Sequence, residues 1–198
     1  PYRAGMSSVG FQWVLKILRD AGFQVERSFL PDDVGAWRST RVPLHTYETE
    51  RPVAHFPVIG VSLAYELEIE GLIHALELAG IPPLRSDRDH RHPRIVMGGP
   101  LTFSNPLPAA PFVDAMIIGE ADDVVLEAFE AASHTEGDEW LDAIASLDGG
   151  YVPDLHGVVL DLRDQPVHAL VSHDLANLVV LFLPLQESAS RRLFLLLL

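Results

Sequence analysis

The stretch Val58-Ile59-Gly60-Val61-Ser62-Leu63, followed by Tyr65 to Ala79 and stopped at Gly80-Ile81-Pro82, decides the fold. Its first part is apolar without alternation, which predicts a short strand buried on both faces. In the run that follows, Ile69, Leu72, Ile73 and Leu76 recur at helical spacing and form one apolar face. Gly80 supplies a left-handed stop and Pro82 prevents continuation. A buried strand leading into an amphipathic helix is the repeating unit of a parallel sheet.

The same signals recur outward in both directions. Upstream, Ser7 or Ser8 caps a helix through about Ala21, with Phe11, Val14, Leu15 and Leu18 on its apolar face. Gly22 ends it, and Phe23–Leu30 reads as a strand closed by Pro31. Residues 32–56 read as a long irregular connection with one helical turn. Downstream, Arg94–Met97 is a strand closing in Gly98-Gly99-Pro100, and Ala115–Ile118 is another closing in Gly119-Glu120. A helix is expected next, to about Ala132, with Glu120, Asp122 and Asp123 in its first turn, where the dipole favours acids. Trp140, Leu141 and Ile144 predict one more helix, and Gly157–Leu162 a final strand.

These units place the chain in the α/β class, as an open, mostly parallel sheet flanked by helices. Tyr2 to Met6 reads as a strand-to-helix loop. The central strand that such a loop should follow is not in the sequence. Residues 1–150 are expected to form the α/β domain, and 151–198 a linker and a Leu-rich C-terminal extension.

Composition narrows the function. The chain has 198 residues, 48% hydrophobic, and 14 Lys+Arg against 28 Asp+Glu, for a net charge of −14. Residues 95–162 contain no Lys or Arg and 13 carboxylates. A nucleic-acid face needs a clustered basic stripe, so that class is excluded. The acidic span is a solvated surface or a docking face for a basic partner. No apolar run is long enough for a spanning helix. The chain has no Cys. That excludes disulfides and a thiolate-bound cluster from these residues and fits a cytoplasmic setting.

Ligands of open parallel sheets bind beyond the carboxyl ends of the strands. Here those ends read Gly5-Met6-Ser7-Ser8, Ser62-Leu63-Ala64-Tyr65, Gly98-Gly99-Pro100 and Gly119-Glu120. Small residues let a backbone approach a bulky ligand and offer N–H groups, which suits a large polar ligand with a nucleotide or phosphate. The same residues also serve as ordinary turns. Gly60-x-Ser62-x-Ala64 invites a nucleophile-elbow reading with Asp114 and His156 as partners, without a supporting motif for either. Asp87, Asp89, His90 and His92 crowd one loop at a spacing that can bind a metal, although interleaved arginines favour a solvated loop. Glu66, Glu68 and Glu70 read as dipole complement and solvated surface.

The run Tyr2-Arg3-Ala4-Gly5-Met6-Ser7-Ser8-Val9-Gly10-Phe11-Gln12 carries a family resemblance. So do Arg27 to Asp32, Gly60 to Leu67, Leu78 to Pro82, Met97-Gly98-Gly99-Pro100 with Asn105-Pro106, and Ile117 to Glu120. In this order they resemble the B12-binding-like N-terminal domain of uncharacterised radical S-adenosylmethionine (radical SAM) proteins, and Gly150-Tyr151-Val152-Pro153 resembles the linker that follows. The resemblance implies a cobalamin-binding, flavodoxin-like three-layer fold. It implies that Ser62, Leu63 and Gly98-Gly99 line a pocket for the nucleotide tail of a cobalamin. It also implies a downstream barrel, in cis or in trans, whose CxxxCxxC thiolates hold a [4Fe-4S] cluster that cleaves S-adenosylmethionine.

Two departures shape the expectation. The radical centre is absent from this chain, so the chain is expected to hold a corrinoid or dock on the barrel, not to be catalytic alone. Cobalt-ligating domains of the resembling kind use Asp-x-His-x-x-Gly after the first strand. Tyr2 to Ser7 stands there without a His, so no protein ligand to cobalt is expected. The expected cofactor contacts are Gly5, Met6, Ser7, Ser62, Leu63, Tyr65, Gly98, Gly99, Pro100, Gly119 and Glu120. The alternatives are an acidic interaction scaffold and, more remotely, a serine hydrolase at Ser62.

Overall fold

Ser8 sits in extended backbone ahead of the first long helix, and its side chain accepts the N–H of Phe11. That cap starts α2 (Val9–Asp20), whose Phe11, Leu15 and Leu18 are buried. The computed structural model describes residues 2–120, 122, 124–135, 137–156, 179–182 and 193–197. Ahead of α2 lies a short helix, α1 (Tyr2–Ser7), in place of the expected strand-to-helix loop. Arg3, Ala4 and Met6 are good helix formers and outweigh the one glycine.

After α2 the chain runs into β1 (Gln24–Phe29). The connection 32–56 holds a true helix, α3 (Val34–Thr40), capped by the Asp33 side chain on Ala36 N–H. Next come β2 (Val58–Ser62), α4 (Glu68–Ala79), β3 (Arg94–Gly98) and β4 (Ala115–Ile117). α5 (Val125–His134), α6 (Glu139–Ala145), β5 (Gly150–Tyr151) and α7 (Pro153–His156) complete the main body. Two strands of the tail are β6 (Val179–Phe182) and β7 (Leu193–Leu197). The expected strand 157–162 lies outside the described residues.

α4 ends as its sequence dictates. Gly80 adopts φ +73°, a left-handed conformation that costs L side chains about 1 kcal/mol. The turn lets Ile81 N–H reach the Leu76 carbonyl at 2.9 Å.

The strands form a three-layer α/β fold with a mostly parallel open sheet. β2 and β3 are parallel, from Val58 opposite Arg94 to Ser62 opposite Gly98. β3 and β4 are parallel, with Val96 opposite Ala115. β5 adds an antiparallel edge, Met116 opposite Tyr151. β1 joins this set through the tail. β7 is parallel to β1, with Glu26 opposite Leu195, and to β2, with Ile59 opposite Leu195. β6 registers antiparallel to the same two strands, with Leu181 opposite both Arg27 and Gly60.

The core is continuous across the strands and their covering helices. Ile59, Ile95, Met97, Ala115 and Met116 are fully buried, as are Leu18, Leu72 and Leu76 from α2 and α4. Each large aliphatic side chain contributes roughly 1.5–3 kcal/mol by leaving water. α2 and α5 pack on each other, which leaves their N-terminal ends beside the exits of β2, β3 and β4. No helix of the described residues is long and apolar enough to cross a membrane.

Candidate ligand cleft at the strand ends

The exits of β2, β3 and β4 are stitched together by backbone and one hydroxyl. Leu63 N–H donates to the Gly98 carbonyl at 3.0 Å, and Leu101 N–H to the Leu63 carbonyl at 2.9 Å. Thr102, buried, donates its hydroxyl to the Gly99 carbonyl at 2.8 Å and accepts Gly119 N–H at 3.2 Å. It therefore ties the β3 exit to the β4 exit. Thr102 is not among the residues that sequence reasoning singles out. Gly99 has φ +99°, and a Cβ there would lie 2.7 Å from Ser62 Oγ and 2.8 Å from the Leu63 carbonyl oxygen. The glycine is demanded by this close packing of two loops.

Between these exits and the α2–α5 pair lies a cleft of about 390 Å³. Phe11 and Val14 of α2, Val61, Val96 and Ile117 of the sheet, and Val125 and Phe129 of α5 make it apolar. Gly60 and Gly98 keep its floor low. A Cβ on Gly98 would come no nearer than 3.9 Å to any neighbour, the Ile117 carbonyl oxygen. Trp13, Phe103, Glu120 and Asp122 line it from exposed positions and form its mouth. Trp13 Nε1–H donates to Asp122 Oδ1 at 3.0 Å, joining α2 to the loop after β4.

Of the expected contacts, Ser62, Gly98, Gly99, Pro100, Gly119 and Glu120 line this cleft. The others stand elsewhere. Gly5, Met6 and Ser7 belong to α1 rather than to a loop, and the Met6 sulfur accepts from Gln12 and from the Arg27 guanidinium. Leu63 is fully buried and acts through its backbone, while Tyr65 is 60% exposed. Glu120 and Asp122 lie in the loop before α5, not in its first turn. The helix begins only at Val125, and no side chain caps it. Ser8, Phe11, Trp13 and Val14 also line the cleft, beyond the expected set. They follow α1 on a helix whose apolar spacing, by itself, signals packing alone.

Glu68 departs most from expectation. The sequence reading puts it on solvated surface, yet it is 5% exposed. Its Oε2 accepts Ala64 N–H at 2.5 Å, which staples the loop between β2 and α4. Burial pushes its carboxyl up to about 7, against the pull of the Ala64 and Tyr65 N–H groups. Its Oε1 is buried without a hydrogen-bond partner.

The hydrolase reading fails on geometry. Asp114 accepts from Arg88 at 2.9 Å and from Ile95 N–H at 2.6 Å. It therefore stands near the start of β3, three residues and roughly 10 Å from the end where Ser62 sits. His156 Nδ1 is engaged by the backbone of Val152. These three residues do not converge.

In the Asp87–His92 loop, Asp89 is held by Arg91 and His92, and the guanidinium keeps its carboxyl well below the usual range. Among the described residues no cluster of three His, Asp or Glu is placed to hold a metal ion. A larger cavity, about 860 Å³, opens at the opposite edge of the sheet. Its arginines are committed to structure. Arg88 serves the carbonyls of Pro82, Pro83 and Phe112, and Arg94 those of Ala132, Thr135 and Gly137.

Fold and cleft thus define an α/β domain with its ligand space at the carboxyl ends of a parallel sheet. The family model described as radical SAM proteins, N-terminal, matches residues 10–153, so the chain belongs to that family. No curated protein matches the chain. No solved structure matches it.

Proposed function

We propose that the chain is the ligand-holding part of a radical SAM protein and that its cleft takes the flat base of a corrinoid's side arm. The observation that carries this reading is the apolar space of about 390 Å³ over Gly60 and Gly98, directly at the ends of β2 and β3. The residues fit such a group. The floor is apolar and low, Gly98 has no close neighbour on its open side, and Ser62 offers a hydroxyl at the edge. No His is among the described residues that line the cleft.

When bound, a corrinoid supplies alkyl-transfer or redox chemistry at its cobalt. The chain's own part is to bind and orient it. Thr102 and Leu63 lock the loops of the rim, Gly98 leaves room, and Phe11, Val14 and Phe129 exclude water from the buried base. The cluster and the S-adenosylmethionine belong to the barrel, which this domain meets in cis or in trans. Gel filtration of the chain after incubation with hydroxocobalamin tests the reading. With about 100 μM hydroxocobalamin kept in the running buffer, a peak of excess corrinoid absorbance should travel with the protein, and its absence contradicts the proposal.

A second reading, a docking scaffold without cofactor, draws on one observation: the span 95–162 holds 13 carboxylates and no Lys or Arg. It predicts salt-sensitive association with a basic, Cys-containing partner, and a monomer indifferent to salt argues against it.

A further inference from the structure

The cleft is apolar inside and one-signed at its mouth. Among the described residues that line it there is no Lys, Arg or His, and the ionisable side chains are Glu120 and Asp122. Both are exposed. Asp122 is held in place by the indole N–H of Trp13.

An opposing field comes from the helices. The N-terminal ends of α2 and α5 both contribute residues to the cleft. Each helix end is worth about half a positive charge. Ser8 already spends part of the α2 end on Phe11 N–H. Two full carboxylates outweigh at most about one positive charge equivalent, so the mouth is net negative.

We infer that Glu120 and Asp122 set the ligand specificity of the cleft. A flat ring enters when the atoms it leaves at the mouth are neutral or cationic, and is disfavoured when they carry an anion. This rests on reading the cleft as a ligand pocket, and it adds a rule for what sits beside the ring. It runs against a phosphate at the rim, because among the described lining residues there is no basic side chain to meet one. For a corrinoid side arm, the phosphodiester is an unfavourable feature that the apolar floor must offset.

The experiment uses one ring with three charges: benzimidazole, 5-(aminomethyl)benzimidazole and benzimidazole-5-carboxylate, each titrated by calorimetry into the chain at low salt. The cation should bind tightest and the anion weakest, with steps of about three- to fivefold. The double variant Glu120→Gln with Asp122→Asn should erase the order. The amide oxygen introduced by Asp122→Asn still accepts from the Trp13 indole, and a thermal melt confirms that both proteins are folded. About 1 M salt should erase the order as well. Hydroxocobalamin should bind the double variant more tightly than the wild type.

Equal affinities for the three rings, or a preference for the anion, overturn the inference and leave the pocket reading intact. Failure of all three rings to bind overturns both. The predicted order without hydroxocobalamin binding supports the inference and removes the corrinoid.

Discussion

Gly99 and Ser62 are packed so closely that one added carbon has no place: a Cβ on Gly99 would sit 2.7 Å from Ser62 Oγ. On the neighbouring Gly98 a Cβ would meet nothing closer than 3.9 Å. Two adjacent glycines therefore do different things. One closes the sheet's exit loops on each other, and the other leaves the floor of the cleft low.

That difference separates folding from binding. Gly99→Ala forces a side chain into φ +99° against the Leu63 backbone, and should cost about 2–3 kcal/mol in urea unfolding. Gly98→Ala should stay within about 1 kcal/mol of the wild type. Equal stability of the two variants contradicts the assignment.

Glu68 makes stability depend on pH. Its carboxyl titrates near 7 in the fold and at 4.5, its ordinary value, in the unfolded chain. Between those values the folded chain holds a proton that the unfolded chain has released, so stability falls as pH rises from 4.5 to 7. The loss is complete above 7 and amounts to at most about 3 kcal/mol. Glu68→Gln, which mimics the protonated group, should be increasingly more stable than the wild type from pH 5 to pH 8. A difference that does not change with pH removes this account of Glu68.

Arg88 is a cation committed to structure. Its side chain is 4% exposed and its guanidinium serves three carbonyls and Asp114. Arg88→Ala takes the donor from three half-buried carbonyls and leaves Asp114 with only its bond from Ile95 N–H, and should cost about 3 kcal/mol in chemical unfolding. Arg91, paired with Asp89 in the open, should lose less than about 1 kcal/mol on the same change. Comparable losses at the two positions contradict the distinction.

The main frame of the fold is legible in the sequence because its signals are local. The unbroken apolar run at Val58–Val61, the Ser8 cap and the Gly80 stop each act within a few residues. What escapes a linear reading depends on facing rather than on composition. Glu66, Glu68 and Glu70 look like one charged face, yet residues two apart on a helix point about 200° from one another. Glu68 shares its face with Leu72, Ala75 and Leu76, all buried, and that spacing marks it as an inward carboxylate. The helix Val34–Thr40 runs longer than the single expected turn; it holds a glycine and buries none of its residues, and its clearest local signal is the Asp33 cap. Six of the eleven expected contacts reach the cleft because strand exits converge in any parallel sheet. Gly5 to Ser7 do not, because the segment coils into α1 instead of spanning the rim.

The corrinoid is the central claim, and a calorimetric titration of hydroxocobalamin into the wild type and Gly98→Leu tests it most directly. Saturable binding to the wild type with a Kd below about 100 μM, weakened at least tenfold by a leucine that fills the cleft floor, is the predicted result. No heat of binding up to that concentration, or equal binding by a folded Gly98→Leu chain, would place the cofactor elsewhere or nowhere on this domain.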